Sequence, residues 1–238
     1  MWHLYSASGN SFLITKEKSS AFSSFEIVDL ANRFKVDGVI FAEILNGGHY
    51  RMVYFNCDGS SAAMCGNGLR SVAHFVGDAD CIETEIGSRI VKVQRDEVEV
   101  EIAPFPKISL VTLEGTSLFY MCTGVPHVIV PVVAVAEIDV EKEGYRICHH
   151  SYFAPEQTNV TFVEKNGKSL RIRTYERGVY SETLSCGTGA ASAAALYFLS
   201  SSCHQVEIYC RSNEKLCVFL KGQNLFLRGS VQYLGVAR

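Results

Sequence analysis

Met64-Cys65-Gly66-Asn67-Gly68-Leu69-Arg70-Ser71-Val72-Ala73 is answered in the second half of the chain by Ser185-Cys186-Gly187-Thr188-Gly189-Ala190-Ala191-Ser192-Ala193-Ala194. The two stretches share a Cys-Gly-polar-Gly core, with a Ser and an Ala at matching offsets. A free thiol titrates at about pH 8.5, but at a helix N-terminus it can fall to about 3.5–7.5. Glycines around such a cysteine let the backbone approach a ligand, and the unbonded N–H groups of the first turn can cradle a carboxylate. Each stretch therefore offers an ionisable sulfur beside an anion site, and the repetition suggests two cysteines working together.

The duplication reaches further. Tyr50 to Asn56 reads as a strand running through Asp58-Gly59-Ser60 into the first motif, and Leu170 to Glu176 reads as a strand running through Arg177-Gly178 into the second. A helix follows each motif. In the first, Leu69, Val72, Ala73 and Val76 form one apolar stripe, while Ala190 to Leu199 is apolar almost all round and should be wrapped on every side. Three short strands then follow each helix: Cys81 to Ile86, Arg89 to Gln94 and the alternating Val98, Val100, Ile102, and later Val206 to Cys210, Leu216 to Lys221 and Leu225 to Arg228. Ser8-Gly9-Asn10 and Thr123-Gly124-Val125 each open a strand ahead of their half. The expectation is an α+β fold of two pseudo-symmetric units, each a curved, mostly antiparallel sheet around a central buried helix. Residues 1–110, joined by 229–238, form the half with Cys65, and residues 111–228 form the half with Cys186.

At 238 residues with 47% hydrophobic and 20% charged residues, the chain reads as a soluble globular protein. A net charge of -3 without a Lys/Arg cluster argues against a nucleic-acid partner. The longest apolar stretch, Val128 to Ala136, is broken by Pro131 and too short for a bilayer. Met1-Trp2-His3-Leu4-Tyr5 lacks the pattern of a secretory leader, and nine cysteines make an odd number, so a reducing cytoplasm without a disulfide framework is expected. Cys57, Cys81, Cys122 and Cys148, and the evenly spaced Cys203, Cys210 and Cys217, read as small buried apolar side chains and not as metal ligands. His149-His150 reads as a solvated stretch.

Two sulfurs placed on opposite sides of one carbon suit a particular reaction. One thiolate takes the α-proton of an amino acid and the opposing thiol returns a proton to the other face, inverting the centre. Helix N–H groups would stabilise charge building on the carboxylate. A cysteine protease needs a single nucleophile, and a non-catalytic binder needs only the N–H cradles, so neither accounts for both cysteines.

Taken together, these residues resemble the diaminopimelate epimerase family, cofactor-independent two-cysteine epimerases of lysine and peptidoglycan biosynthesis. The matching blocks are Ser8 to Phe12, Phe55 to Ser60, Met64 to Gly68, Gly124 to His127, Asn159, Glu176 to Gly178 and Glu182 to Gly189. The resemblance implies that Cys65 and Cys186 are the acid/base pair, with His127 and Glu176 nearby to set or relay their protons. It implies that Gly66, Asn67, Gly187 and Thr188 hold the reacting carboxylate mainly through backbone N–H groups. Asn10, Asn56, Asn159 and Arg177, with Glu176, would contact the rest of the substrate. Neither pyridoxal phosphate nor a metal is implied. The expected partners are a small amino acid and a second copy of the chain in a homodimer, with no membrane. The chain departs from the family pattern at Val125, where Asn is usual, at Gly38, where Gln is usual, and by one extra residue around Tyr180-Ser181. Val125 and Gly38 remove polar groups from the expected site, which motivates an alternative, a racemase of broader specificity acting on glutamate or another amino acid.

Overall fold

Short apolar runs separated by Gly, Asn and Asp turns produce seventeen strands and four α-helices in the computed structural model, which describes every residue, Met1–Arg238. Contacts divide the chain into two compact units, Met1–Glu101 with Arg228–Arg238, and Ile102–Leu227. In the first, β1 (His3–Ala7) turns into β2 (Asn10–Thr15) through Ser8-Gly9, both at positive φ (52° and 86°). Two left-handed residues match the twist of the strands they join. Next come α1 (Ser24–Phe34), β3 (Gly38–Ile44) parallel to β2, β4 (Tyr50–Asn56) antiparallel to β3, α2 (Gly66–Val76), β5 (Cys81–Thr84) parallel to β4 and β6 (Gly87–Gln94) antiparallel to β5. β7 (Glu97–Pro104) pairs with β6 and carries the chain onward.

The second unit adds a hairpin, β8 (Ser109–Leu113) with β9 (Thr116–Cys122), and then repeats the order of the first. β10 (Pro126–Val132) is antiparallel to β9; α3 (Val140–Cys148) leads to β11 (Asn159–Asn166), parallel to β10; β12 (Ser169–Glu176) is antiparallel to β11. After the short β13 (Ser181–Thr183) and α4 (Gly187–Leu199), β14 (Gln205–Tyr209) runs parallel to β12 and β15 (Lys215–Lys221) antiparallel to β14. β16 (Asn224–Ser230) returns to the first unit, where β17 (Gln232–Val236) pairs with β1. The fold is α+β, and parallel pairings occur at the same two places in each unit.

Each unit wraps one helix. α2 lies against β1, β2, β3, β4 and β6, and α4 against β10, β11, β12, β14 and β15. The expected single stripe on α2 understates its enclosure: every residue from Gly66 to Ala73 is buried, Arg70 and Ser71 included. α4 is lined with Ala190, Ala191 and Ala193 to Ala195, whose small side chains let strands close in from all directions.

The sequence reading did not anticipate α1 and α3, which explain why β3 and β11 are continuous apolar runs. On β3, Val39 and Phe41 pack with Ile27 and Ala31 of α1, while Ile40 meets Gly68 of α2. On β11, Val160 and Phe162 pack with Val140 and Ile147 of α3, while Thr161 points toward α4. α1 starts with a reciprocal Ser23–Glu26 capping box and α3 with the Asp139 side chain accepting from the Lys142 N–H. Of the cysteines read as core, Cys148, Cys210 and Cys217 are buried, but Cys57, Cys122 and Cys203 are exposed and Cys81 is half-buried. The exposed three lie in turns or at a strand end, where the pattern of neighbouring residues does not force burial. No helix is long and apolar enough to cross a membrane.

Gly144 of α3 is required by a close approach: a Cβ there would lie 2.4 Å from the Tyr175 Cβ on β12. Helix propensity alone would make Gly144→Ala stabilising by about 1 kcal/mol. The overlap reverses the sign, and urea unfolding is expected to show a loss of about 1–3 kcal/mol.

Candidate active site

Cys186 is the N-cap of α4, and the elements around it converge on its sulfur. The thiol is buried and hydrogen-bonds to the carboxyl of Glu176, the last residue of β12. Thr183 Oγ1 donates to Glu176 Oε1 at 2.6 Å. The register that brings Thr183 there is set by β13, whose buried Glu182 accepts from Arg173 Nε and Nη2, both at 2.7 Å, and pairs with Arg211 at 3.1 Å. Burial pushes the Glu176 carboxyl up, opposed by the hydrogen bonds from Thr183 and Cys186. Burial, and then the neighbouring Glu176 charge, hold the Cys186 thiol well above its usual range. Both groups are thus shifted toward their protonated forms, the Cys186 thiol the more strongly.

On the other side of Cys186, Thr188 Oγ1 lies 3.4 Å from the sulfur and 2.9 Å from His127 Nε2. His127 is fully buried; its Nδ1 faces Thr161 Oγ1 at 3.2 Å, and that hydroxyl pairs with Thr174 at 3.1 Å. Burial, aided by the Arg177 charge, pushes the imidazole down to about 3, so the ring is neutral at physiological pH. Asn159, opposite His127 in the β10–β11 register, accepts from the Arg177 backbone N–H at 2.9 Å and turns its Nδ2 to His127 at 3.4 Å. The Arg177 guanidinium donates to the Glu156 carbonyl at 2.6 Å. The second unit thus collects Cys186, Glu176, His127, Asn159, Arg177, Gly187 and Thr188 of the expected set.

In the first unit Cys65 is the N-cap of α2, with its sulfur accepting from the Gly68 N–H at 3.4 Å. Asn67, one step before Gly68, donates through Nδ2 to Asn10 Oδ1 at 2.7 Å. Asn56, at the end of β4, donates to Ser60 Oγ at 2.9 Å and stays half-buried. The N–H groups of Gly66 and Asn67, like those of Gly187 and Thr188, belong to the first helical turn, where the helix itself supplies no acceptor.

The cysteines are the caps, and the side chains of Asn67 and Thr188 are engaged as well, the first by Asn10 and Arg70 and the second by His127 and Cys186. Gly38 leaves no gap: a Cβ there would lie 2.5 Å from Tyr54 Cε2 and 2.8 Å from its hydroxyl, so the aromatic ring occupies that space. In the β12–β13 turn Tyr180 sits at φ 56° and donates through its hydroxyl to Gln157 at 2.9 Å. The sequence reading missed Thr161, Thr174 and Thr183, which hold His127 and Glu176, and gave no role to Arg70. The hydroxyls of β11 and β12 carried a legible signal, polar residues on the inner face of otherwise apolar strands.

A family model described as diaminopimelate epimerase matches residues 3–105 and 119–232. Among curated proteins, a diaminopimelate epimerase of Hydrogenobaculum sp. (strain Y04AAS1) is 38% identical over 261 residues, covering 94% of this chain and 93% of that protein. One from Thermotoga maritima is 34% identical over 244 residues, covering 96% and 97%. Among solved structures, a phenazine biosynthesis protein of the PhzF family from Enterococcus faecalis superposes with a TM-score of 0.75 at 12% identity, covering 100% of this chain and 98% of that one. A hydroxyproline epimerase from Agrobacterium vitis, with bound trans-4-hydroxy-L-proline, gives 0.67 at 13% identity, covering 99% and 91%. At these identities the structural likenesses establish the fold alone.

The neutral imidazole has a measurable consequence. His127 titrates at about 3 when folded against an ordinary value of 6.5, so between those values the unfolded chain binds more protons. Its contribution to stability is complete above the ordinary value and is lost as pH falls toward the folded one, by up to about 1.4 kcal/mol per pH unit. Urea unfolding across this window is expected to show that slope, reduced by one proton in His127→Gln.

Proposed function

The chain belongs to the diaminopimelate epimerase family, and from that membership we propose that it interconverts LL- and meso-diaminopimelate with Cys65 and Cys186 as its acid/base pair. The observation that carries this reading is the placement of the two sulfurs at the N-caps of equivalent helices in two units of the same topology. One thiolate removes the α-proton and the other thiol protonates the opposite face, so each turnover inverts the carbon and exchanges the protonation states of the two cysteines. The N–H groups of Gly66, Asn67, Gly187 and Thr188 donate to the carboxylate and stabilise the charge that spreads onto it. Donors of this kind are each worth about 2.7–4 kcal/mol in a dry site.

The roles of the supporting residues follow from their chemistry. Glu176 takes up charge or proton when Cys186 changes state, its own affinity for the proton having been raised by burial. Neutral His127 accepts from or donates to Thr188 and so fixes that hydroxyl beside Cys186. Asn10, Asn56, Asn159 and Arg177 address the rest of the substrate, Arg177 being suited to a carboxylate. The acid/base work requires neither pyridoxal phosphate nor a metal. The enzyme is an isomerase of lysine biosynthesis that also supplies a peptidoglycan precursor, placed in the cytoplasm and acting as a homodimer.

Proton NMR in deuterated water tests the reading. Incubation with LL-diaminopimelate is expected to give the meso isomer with loss of the α-proton signal, while glutamate keeps its own. Cys65→Ala and Cys186→Ala are each expected to lower turnover by at least about 100- to 10,000-fold with the fold retained by circular dichroism. Exchange of glutamate at the rate of diaminopimelate would point instead to a broad racemase, and full activity in either variant would remove the two-cysteine assignment.

A further inference from the structure

Arg70 is fully buried on α2, and its guanidinium is distributed over three oxygens. Nη1 donates to the Ser230 carbonyl at 2.8 Å, and Nη2 donates to Ser8 Oγ at 2.7 Å and to Asn67 Oδ1 at 2.8 Å. The third contact settles an orientation. An asparagine amide can turn either lobe toward a neighbour, but a guanidinium only donates, so Asn67 must present its oxygen to Arg70 and its NH2 to the other side. That NH2 meets Asn10 Oδ1 at 2.7 Å. Asn10 in turn has its oxygen committed to Asn67, and its own NH2 lobe is turned away from that bond.

The turn that holds Asn10 adds a second observation. Ser8 sits at φ 52°, a left-handed conformation that costs a non-glycine residue, yet it is buried and carries the hydroxyl that Arg70 contacts. Ser71 Oγ, one residue along, donates to the Asn67 carbonyl at 3.1 Å and steadies the same helical turn. One guanidinium therefore fixes both the hairpin turn that places Asn10 and the amide that orients it.

We propose that Arg70 is a positioning residue that sets the polarity of an amide relay, Arg70 to Asn67 to Asn10, so that Asn10 offers a hydrogen-bond donor to a carboxylate oxygen of the substrate. This rests on the reading of Asn10 as a substrate contact given above. The relay selects for an acceptor at that point: reversing either amide would face the carboxylate with a carbonyl oxygen. Lysine at position 70 would preserve the polarity, being donor-only, whereas methionine would leave both amides free to rotate.

The test combines side-chain amide NMR of protein labelled with 15N-asparagine and steady-state kinetics. In the unaltered enzyme Asn67 is expected to give one slowly exchanging NH2 pair, and the Asn10 NH2 protons to move downfield on adding diaminopimelate. Arg70→Met is expected to raise KM at least tenfold with kcat changed less than threefold, and to broaden or double the Asn67 and Asn10 amide signals. Arg70→Lys is expected to restore a single set of signals and a KM within fivefold of the original. An unchanged KM and single amide signals in Arg70→Met would overturn the proposal. So would an Asn10 NH2 that does not respond to substrate in an enzyme that turns over. Should Arg70→Met fail to fold, the unaltered enzyme and Arg70→Lys decide by the same signals. A protein that exchanges no α-proton of diaminopimelate at all would instead defeat the functional reading, while the Asn67 exchange and the response to Arg70→Lys would still judge the relay.

Discussion

A cysteine in the N-cap position of an enclosed helix is the constraint from which the rest of this structure follows. That position normally belongs to Ser, Thr, Asp or Asn, whose oxygen satisfies an unbonded N–H of the first turn. Sulfur is a poorer acceptor, so the helix start keeps N–H groups available for another anion. The arrangement is useful only in a dry setting, because water would otherwise satisfy those groups and screen the helix dipole. Enclosure on all sides is therefore a chemical requirement as much as a packing one. It dictates strands around the helix, small residues along α4, and a second helix, α1 or α3, to cover the far face of the sheet.

The two units meet this requirement with one topology and different side chains. In the first, Ser8 of the turn before β2 is tied to the cysteine helix through Arg70, and the cap is flanked by two amides. In the second, Thr123 of the corresponding turn bonds Ser192 Oγ at 2.7 Å and the Thr188 carbonyl at 3.0 Å, and the cap is flanked by a hydroxyl, an imidazole and a carboxyl. Position 70, where the first motif has a guanidinium, is Ala191 in the second. The backbone duplicates the cradle, and the side chains give each sulfur its own electrostatic setting.

Much of this was legible in the sequence because duplication doubles every signal. The strands before and after each motif and the all-round apolar helix are local patterns that tertiary structure had no reason to override. α1 and α3 were missed although both carried caps and apolar spacing, Ile27, Leu30, Ala31 and Phe34 in one case and Val140, Gly144, Ile147 and Cys148 in the other. Neither belongs to the repeated motif, which drew the reading to the strands. The networks were legible only as members. Thr161 and Thr174 lie on strands separated from Cys186 in sequence, and Thr183, though close in sequence, meets Glu176 only through the β12–β13 pairing; all three depend on register, which periodicity alone does not set. Gly38 was read as a lost side chain because the ring of Tyr54 that fills its place is invisible until β3 and β4 are paired.

Glu176 sits beside the buried thiol of Cys186. An isolated carboxylate in an apolar pocket is costly, and an isolated thiolate likewise. Side by side, they can share one proton: the thiol donates to the carboxylate, and Thr183 supplies a second donor. Burial first, and then the opposition of one negative charge to a second, hold the Cys186 thiol well above its usual range. Within the proposed two-cysteine reaction, such a sulfur is poorly suited to start as a base but well suited to deliver a proton. It becomes a base once that proton has left, with the carboxyl beside it ready to carry part of the charge or the proton in its place. His127, neutral because it is buried, adds no cation that would trap a thiolate, and reaches the sulfur through the Thr188 hydroxyl. On the proposed two-cysteine reading, the second unit therefore meets two opposing demands, a sulfur that holds its proton at rest and one that can part with it during turnover, by setting it between a carboxyl and a hydroxyl tied to a neutral imidazole.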